Sequence, residues 1–172
     1  MRRVLETGLS NITPQPEIQH VGSTSVTGLV AKPVLDIDII IADKTTLHQV
    51  SAGLEKLGYK SKGEQGIPGR FAFRQTSETT PSTNSNRTWQ QHHLYVCYAD
   101  SLALKNHLLF RDILRTNEQL REEYSELKKS LADDLSFSRE EYTKRKTEFI
   151  ISVLSAAGLT ENELQEISRA NT

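Results

Sequence analysis

The feature that most constrains this chain is the segment PVLDIDIIIA at residues 33–42. Leu or Ile occupies every odd position from 35 to 41, and this period of two predicts a β-strand with one apolar face packed in a core. Asp36 and Asp38 then share the opposite face, about 7 Å apart along the backbone. The strand therefore carries two carboxylates toward one space.

Two carboxylates this close raise each other's pKa unless a cation neutralises them. Hard oxygen ligands suit a magnesium ion that is shared with substrate phosphates. Asp36 and Asp38 are therefore candidate metal ligands and candidate catalytic residues. The alternative is that both are solvated acidic residues on an edge strand, where they would discourage aggregation.

The segment HVGSTS at residues 20–25 favours the first interpretation. Gly22 allows the backbone to approach a ligand closely, and free N–H groups with the hydroxyls of Ser23 and Thr24 can hold phosphate oxygens. A phosphate-binding turn beside a metal-binding strand is what phosphoryl and nucleotidyl transfer require. The two segments together predict a site for a nucleoside triphosphate.

The same segments resemble the GrpB family (UPF0157) of the nucleotidyltransferase superfamily. The resemblance rests on the segments HVGSTSV (20–26), GL (28–29), AKP (31–33), DID (36–38), HHLYV (92–96), FRD (110–112), LR (114–115) and FI (149–150), and on Tyr124, Lys128, Tyr142 and Lys146. It implies an α+β fold with a polymerase-beta-like nucleotidyltransferase core, in which Gly22 and Ser23 form the phosphate turn and Asp36 and Asp38 bind metal.

The function that the resemblance implies is transfer of a nucleoside monophosphate from a nucleoside triphosphate to an unknown acceptor, with Mg²⁺ or Mn²⁺ as cofactor. The alternative is a nucleotide-binding accessory module without catalytic activity. Related domains occur fused to dephospho-CoA kinase, so this alternative carries a link to coenzyme A metabolism.

A departure from the superfamily concerns the third carboxylate, which active members usually carry on a neighbouring strand. The predicted strands 70–74 and 92–98 contain no acidic residue. His93 shares a strand face with Tyr95 and could take that place as a catalytic residue, or Glu78 could reach it from a loop. The alternative for His93 is a structural histidine with a hydrogen-bond partner.

Positive charge for phosphate binding is expected from six side chains, each of which could instead be a solvated surface residue: Lys32, Arg70, Arg74, Arg111, Lys128 and Lys146. Trp89, the only tryptophan, could stack on a base or pack against the sheet. It ends residues 75–91, a polar stretch that is typical of a loop.

The remaining pattern predicts one GrpB-like domain over residues 1–172, with an α/β core at 1–100 and a helical part at 101–172 packed on it. The expected core is a mixed sheet with residues 33–42 as its central strand. Residues 17–21 are expected to form another strand, and Asp43 to cap a helix that stops at Gly58. Asp100 is expected to cap the first later helix, a second to cover residues 118–132, and capping boxes to begin the last two.

The composition of the chain limits the kinds of binding partner that we expect. With 21 Lys and Arg against 22 Asp and Glu, no bulk positive field attracts nucleic acid or membranes, so a nucleic-acid partner is not expected. No segment has the roughly 20 apolar residues of a membrane span, and the first residues do not resemble a signal peptide. The single Cys97 is expected in a buried strand, and the chain is expected in the cytoplasm.

Overall fold

A five-stranded mixed sheet organises the computed structural model, which describes residues 1–85, 87–133 and 138–171. The strands are β1 (Glu17–Val21), β2 (Leu35–Ile41), β3 (Tyr59–Gly63), β4 (Arg70–Gln75) and β5 (His92–Tyr98). Their order across the sheet is β1-β2-β5-β4-β3, with β2 and β5 parallel and the other neighbours antiparallel. The mixed sheet is confirmed, but the central strand is β5 and not residues 33–42.

Six α-helices accompany the sheet: α1 (Arg2–Gly8), α2 (Lys44–Lys56), α3 (Leu102–Thr116), α4 (Glu118–Asp133), α5 (Arg139–Ala156) and α6 (Glu161–Ala170). The predicted cap of α2 is confirmed, because the Asp43 carboxylate accepts a hydrogen bond from the Thr46 amide. Capping boxes begin α5 and α6, as predicted. The cap of α3 is Ser101 and not Asp100, because it is the Ser101 hydroxyl that accepts the Leu104 amide.

Two elements were not predicted. Helix α1 has seven residues and only Leu5 buried, so its apolar period is too short to recognise. Strand β3 lies at the sheet edge and exposes four of its five residues, which removes the alternation that marks a half-buried strand. Both elements depend on packing against the rest of the fold.

The main core lies on the face of the sheet opposite the aspartates. The odd-numbered isoleucines of β2 pack there with Leu94 and Val96 of β5 and with the buried side of α2. His92 shares this face; it is buried, and a hydrogen bond of 2.6 Å joins its Nε2 to the Tyr59 hydroxyl. Cys97 is buried in β5, as expected.

A second apolar cluster joins the beginning of the chain to the later helices. Val26 and Leu29, which follow β1, pack against Leu114 of α3 and Tyr124 of α4. This cluster brings the helices beside the turn that precedes β2. Among the described residues, no helix has the length and apolar character that crossing a membrane requires.

Candidate active cleft

The Gly22–Ser23 turn contacts Asp36 directly. Gly22 has φ 66°, and a Cβ at this position would lie 2.1 Å from Asp36 Oδ2. No other residue type fits without displacing the carboxylate. A 3₁₀ turn at Ser23–Ser25 follows, and the Ser25 hydroxyl donates to the Gly22 carbonyl at 2.6 Å.

Asp36 is paired with His93 across the parallel strands β2 and β5. The two residues are direct neighbours in the register, and His93 Nδ1 donates to Asp36 Oδ1 at 2.8 Å. This hydrogen bond raises the pKa of His93, although partial burial opposes the shift. In the neutral imidazole, the proton on Nδ1 leaves Nε2 as a free acceptor.

Asp38 is closed off from solvent, with 0% of its surface exposed. His107 of α3 donates from Nδ1 to Asp38 Oδ2 at 2.7 Å, and Asp38 Oδ1 is buried without a hydrogen-bond partner among the described residues. Because β2 lies inside the sheet, the interpretation of these aspartates as solvated groups of an edge strand is wrong. A buried carboxylate oxygen without a partner is costly unless another group binds it.

Two lysines from the later helices lie near the turn. Lys128 of α4 donates from Nζ to Ser23 Oγ at 3.0 Å and also to the Val30 carbonyl. Burial, with a smaller contribution from the charge of Lys146, lowers the pKa of Lys128 to about 8. Burial also lowers the pKa of Lys146, while Asp36 opposes this shift.

These groups line a cleft of about 460 Å³ between the sheet and the later helices. Of the residues expected at a nucleotide site, the cleft brings together nine: Gly22, Ser23, Thr24, Lys32, Asp36, Arg70, His93, Lys128 and Lys146. Asp38 does not line the cleft; it is buried and bonded to His107, which does. These nine residues come from five stretches of the chain: residues 22–36, β4, β5, α4 and α5.

Arg111 does not line this cleft. Its guanidinium donates to Asp112, to Gln19 Oε1 and to the His20 carbonyl, which fastens α3 to β1. It borders an adjoining cavity of about 200 Å³. These contacts give Arg111 a structural task at the back of the site.

Arg70 lies over the ring of Tyr95, with 4.4 Å from its Cζ to the ring centroid. Its Nε is buried without a partner in the described part of the chain. The interaction with the ring fixes the guanidinium at the cleft wall.

The carboxylates fit a divalent cation in part. Asp36 Oδ2 lies beside the Gly22–Ser23 turn and Asp38 Oδ1 has no partner among the described residues, so each aspartate keeps one oxygen that no histidine occupies. Three His, Cys, Asp or Glu side chains do not converge as a metal site anywhere in the described residues. Two carboxylates suit a cation whose remaining ligands are phosphate oxygens and water.

His107 is the main residue that sequence analysis missed. It lies on α3 with Ala103 and Arg111 at intervals of four residues, so all three share one face of the helix. The sequence did contain a signal for it, because His107 lies between two residues of the helix face that packs on the sheet. Tyr142 of α5 also lines the cleft.

The comparisons with known proteins agree with this architecture. The family model described as GrpB protein matches residues 1–156. The chain belongs to the GrpB family. A GrpB relative in Bacillus subtilis (strain 168), UPF0157 protein YqkA, is 35% identical over 133 residues, which are 77% of this chain and 36% of the relative. The chain thus spans about a third of the length of that relative.

A solved structure of the family has the same fold. The crystal structure of conserved protein GrpB from Enterococcus faecalis superposes with a TM-score of 0.68 and 27% identity, covering 98% of this chain and 88% of that one. The Cid1 poly(U) polymerase with MgGTP bound superposes with a TM-score of 0.55 and 18% identity, over 87% of this chain and 46% of Cid1. At that identity the likeness concerns the fold, and it confirms the predicted nucleotidyltransferase-like α+β architecture.

Proposed function

We propose that this GrpB protein binds a nucleoside triphosphate in the cleft and transfers its nucleoside monophosphate to a hydroxyl of an acceptor. The observation that carries the proposal is the junction at Gly22, where the turn packs against Asp36 and Lys128 binds Ser23. Groups suited to bind a phosphate and groups suited to bind a cation thus lie side by side.

The triphosphate is held by the turn and by the cations around it. The Ser23 and Thr24 hydroxyls and the backbone of Gly22 supply short hydrogen bonds. Lys32, Lys128 and Lys146 supply charge, and phosphate oxygens would offset the repulsion between Lys128 and Lys146. Arg70 closes the wall next to Tyr95.

Asp36 and Asp38 would hold Mg²⁺, or Mn²⁺, when the triphosphate binds. The cation would neutralise the charge that develops on the phosphate oxygens during transfer. Asp36 Oδ2 and Asp38 Oδ1 are the oxygens that no histidine occupies, and the buried Asp38 would reach the cation only when α3 moves.

His93 is suited to accept the proton of the acceptor. Asp36 orients the ring through Nδ1, and Nε2 takes the hydroxyl proton as the oxygen bonds to the α-phosphorus. The bond from the α-phosphorus to the bridging oxygen breaks, and pyrophosphate leaves with that oxygen. His93 then serves where the sequence offers no third carboxylate on β4 or β5.

A second candidate is a nucleotide-binding accessory module without catalytic activity, with a role linked to coenzyme A metabolism. The burial of Asp38 against His107 favours this inactive module, because a fully buried carboxylate is a poor metal ligand until α3 moves. In either case we propose one domain over residues 1–172 with a cytoplasmic location.

Calorimetry with ATP, GTP, CTP and UTP, each with and without Mg²⁺, tests the proposal. We expect one or more of them to bind with Mg²⁺ and far more weakly without it, since carboxylates and triphosphate repel each other. Asp36→Asn with Asp38→Asn should abolish the Mg²⁺ dependence, whereas the control Asp112→Asn should retain it. Equal binding by the double variant and the wild type would refute the cation site.

Pyrophosphate release separates the two candidate functions. Transfer predicts release that depends on acceptor and is lost in His93→Ala while triphosphate binding persists. Triphosphate binding without release across a broad set of acceptors would establish the accessory module instead.

A further inference from the structure

A second opening lies on the same face of the sheet beyond His93. It is a groove of about 810 Å³ between strands β4 and β5 and the loop residues 76–78 and 89–91. His93 and Tyr95 line both this groove and the cleft, so the two spaces are neighbours across the His93 ring. Apart from these two shared residues, the groove lies outside the proposed triphosphate site.

The groove carries positive charge that the fold does not use. Lys62 and Arg74 line it, both are exposed, and within the described residues neither side chain forms a hydrogen bond or an ion pair. Glu78 is the one carboxylate in the described lining. The remaining polar lining is mostly amide and hydroxyl groups, which bind neutral parts of a ligand.

The sheet register explains why these charges face the same way as the catalytic candidates. Ala72 of β4 is the direct neighbour of Tyr95, and Arg74 is two residues further along β4 on the same face. Arg74 therefore projects to the side of the sheet that carries His93 and Asp36. Lys62 comes from the adjoining end of β3.

One wall of the groove is a fixed aromatic ring. Trp89 donates from Nε1 to the Pro81 carbonyl at 2.9 Å, and the Arg87 guanidinium lies 4.4 Å from its ring centroid. The side chain is half-buried and contacts two other residues of the same loop. Trp89 is the only tryptophan of the chain, so its fluorescence reports on this groove alone.

We propose that the groove binds the acceptor, and that the acceptor carries a phosphate monoester. Two unpaired cations match the two negative charges of such a group, and the arginine fork matches its oxygens. With the phosphate on Lys62 and Arg74, the other end of the acceptor extends toward His93, where a hydroxyl is needed. The assignment of an acceptor rests on the proposed transfer, but the phosphate site does not.

Trp89 fluorescence titrated with ribose 5-phosphate, with ribose, and with a 5′-phosphorylated trinucleotide of RNA tests the site, without metal or triphosphate. We expect saturable change with ribose 5-phosphate and none with ribose. Lys62→Gln with Arg74→Gln should weaken binding by about tenfold or more, since charge-assisted contacts are lost. The control Lys44→Gln with Lys56→Gln, two exposed lysines of α2, should leave it unchanged.

The comparison between ribose 5-phosphate and the trinucleotide also identifies which kind of molecule carries the phosphate. Tighter binding of the trinucleotide would assign the groove to a nucleic-acid end, and equal or weaker binding would assign it to a small phosphate ester. Equal responses to ribose and ribose 5-phosphate, no response at all, or an unaffected double variant would each overturn the proposal.

A final comparison separates this site from the cleft. Calorimetry with ATP and Mg²⁺ on the Lys62 and Arg74 double variant should give wild-type affinity. If the wild type binds ribose 5-phosphate but no triphosphate, the groove is still a phosphate site. The proposed transfer function would then be refuted. Loss of both ligands in the double variant would show that the groove is not a separate site.

Discussion

His107 of helix α3 and Asp38 of strand β2 are joined by a hydrogen bond of 2.7 Å beneath the floor of the cleft. This bond is the direct polar link between α3 and the carboxylate pair, and it occupies one oxygen of a side chain that no solvent reaches. The hydrogen bonding of Asp38 therefore depends on the position of α3.

His107→Ala should destabilise the fold by about 1–3 kcal/mol, because both oxygens of a buried carboxylate would then lack a partner in the described structure. Urea unfolding followed by circular dichroism measures the change. His48→Ala, which removes an exposed histidine of α2, is the control and should cost less than about 0.5 kcal/mol. If the two variants lose the same stability, the buried bond contributes nothing.

Gly22→Ala should abolish triphosphate binding, because the new methyl group would displace Asp36 Oδ2. Gly66→Ala is a matched control: Gly66 also has positive φ, at 79°, but a Cβ there meets no heavy atom within 4 Å in the described residues. Both variants carry backbone strain of about 1 kcal/mol or more. Calorimetry should show loss of binding in Gly22→Ala alone; equal loss in both would mean that strain, and not the contact with Asp36, is responsible.

Asp36→Asn should lower the pKa of His93, since the hydrogen bond to Asp36 is the largest cause of its raised value. A raised pKa stabilises the fold fully below the unfolded value of about 6.5, and this contribution is lost as pH rises through the folded-state pKa. Any transfer that uses His93 as base should rise with pH over the same range. NMR titration of His93 measures the shift, and Asp112→Asn should leave it in place.

Triphosphate affinity should fall as pH rises through about 8, because Lys128 then loses the proton that pairs it with phosphate. Binding near this pH should take up protons, which calorimetry in buffers of different ionisation enthalpy detects. Lys128→Gln should remove the pH dependence near pH 8. Its neighbour Lys129 is exposed and paired with Glu126, so Lys129→Gln should retain it.

Much of the fold follows from local pattern. The alternation in β2 correctly placed the odd-numbered isoleucines in the core and both aspartates on the other face, because side chains of any strand alternate. Helix limits were predicted where a cap residue satisfies free backbone groups, as at Asp43 and Thr160. The error at Asp100 was one residue, and it arose because Ser101 competes for the same task.

The sequence by itself also determined the family and the segments that meet in the cleft, because the turn, the Asp-x-Asp strand and the helix lysines are each visible as local motifs. Only the tertiary structure decided which residues of those motifs contact one another. The chain order does not state that β5 inserts beside β2, so the pairing of His93 with Asp36 required the sheet. Nor does it state that α3 crosses beneath the cleft, which buries Asp38 against His107 and uses Arg111 to fasten β1. Contacts between residues 69 or 92 positions apart depend on how packed elements share space, and this is a property of the whole core that no local pattern records.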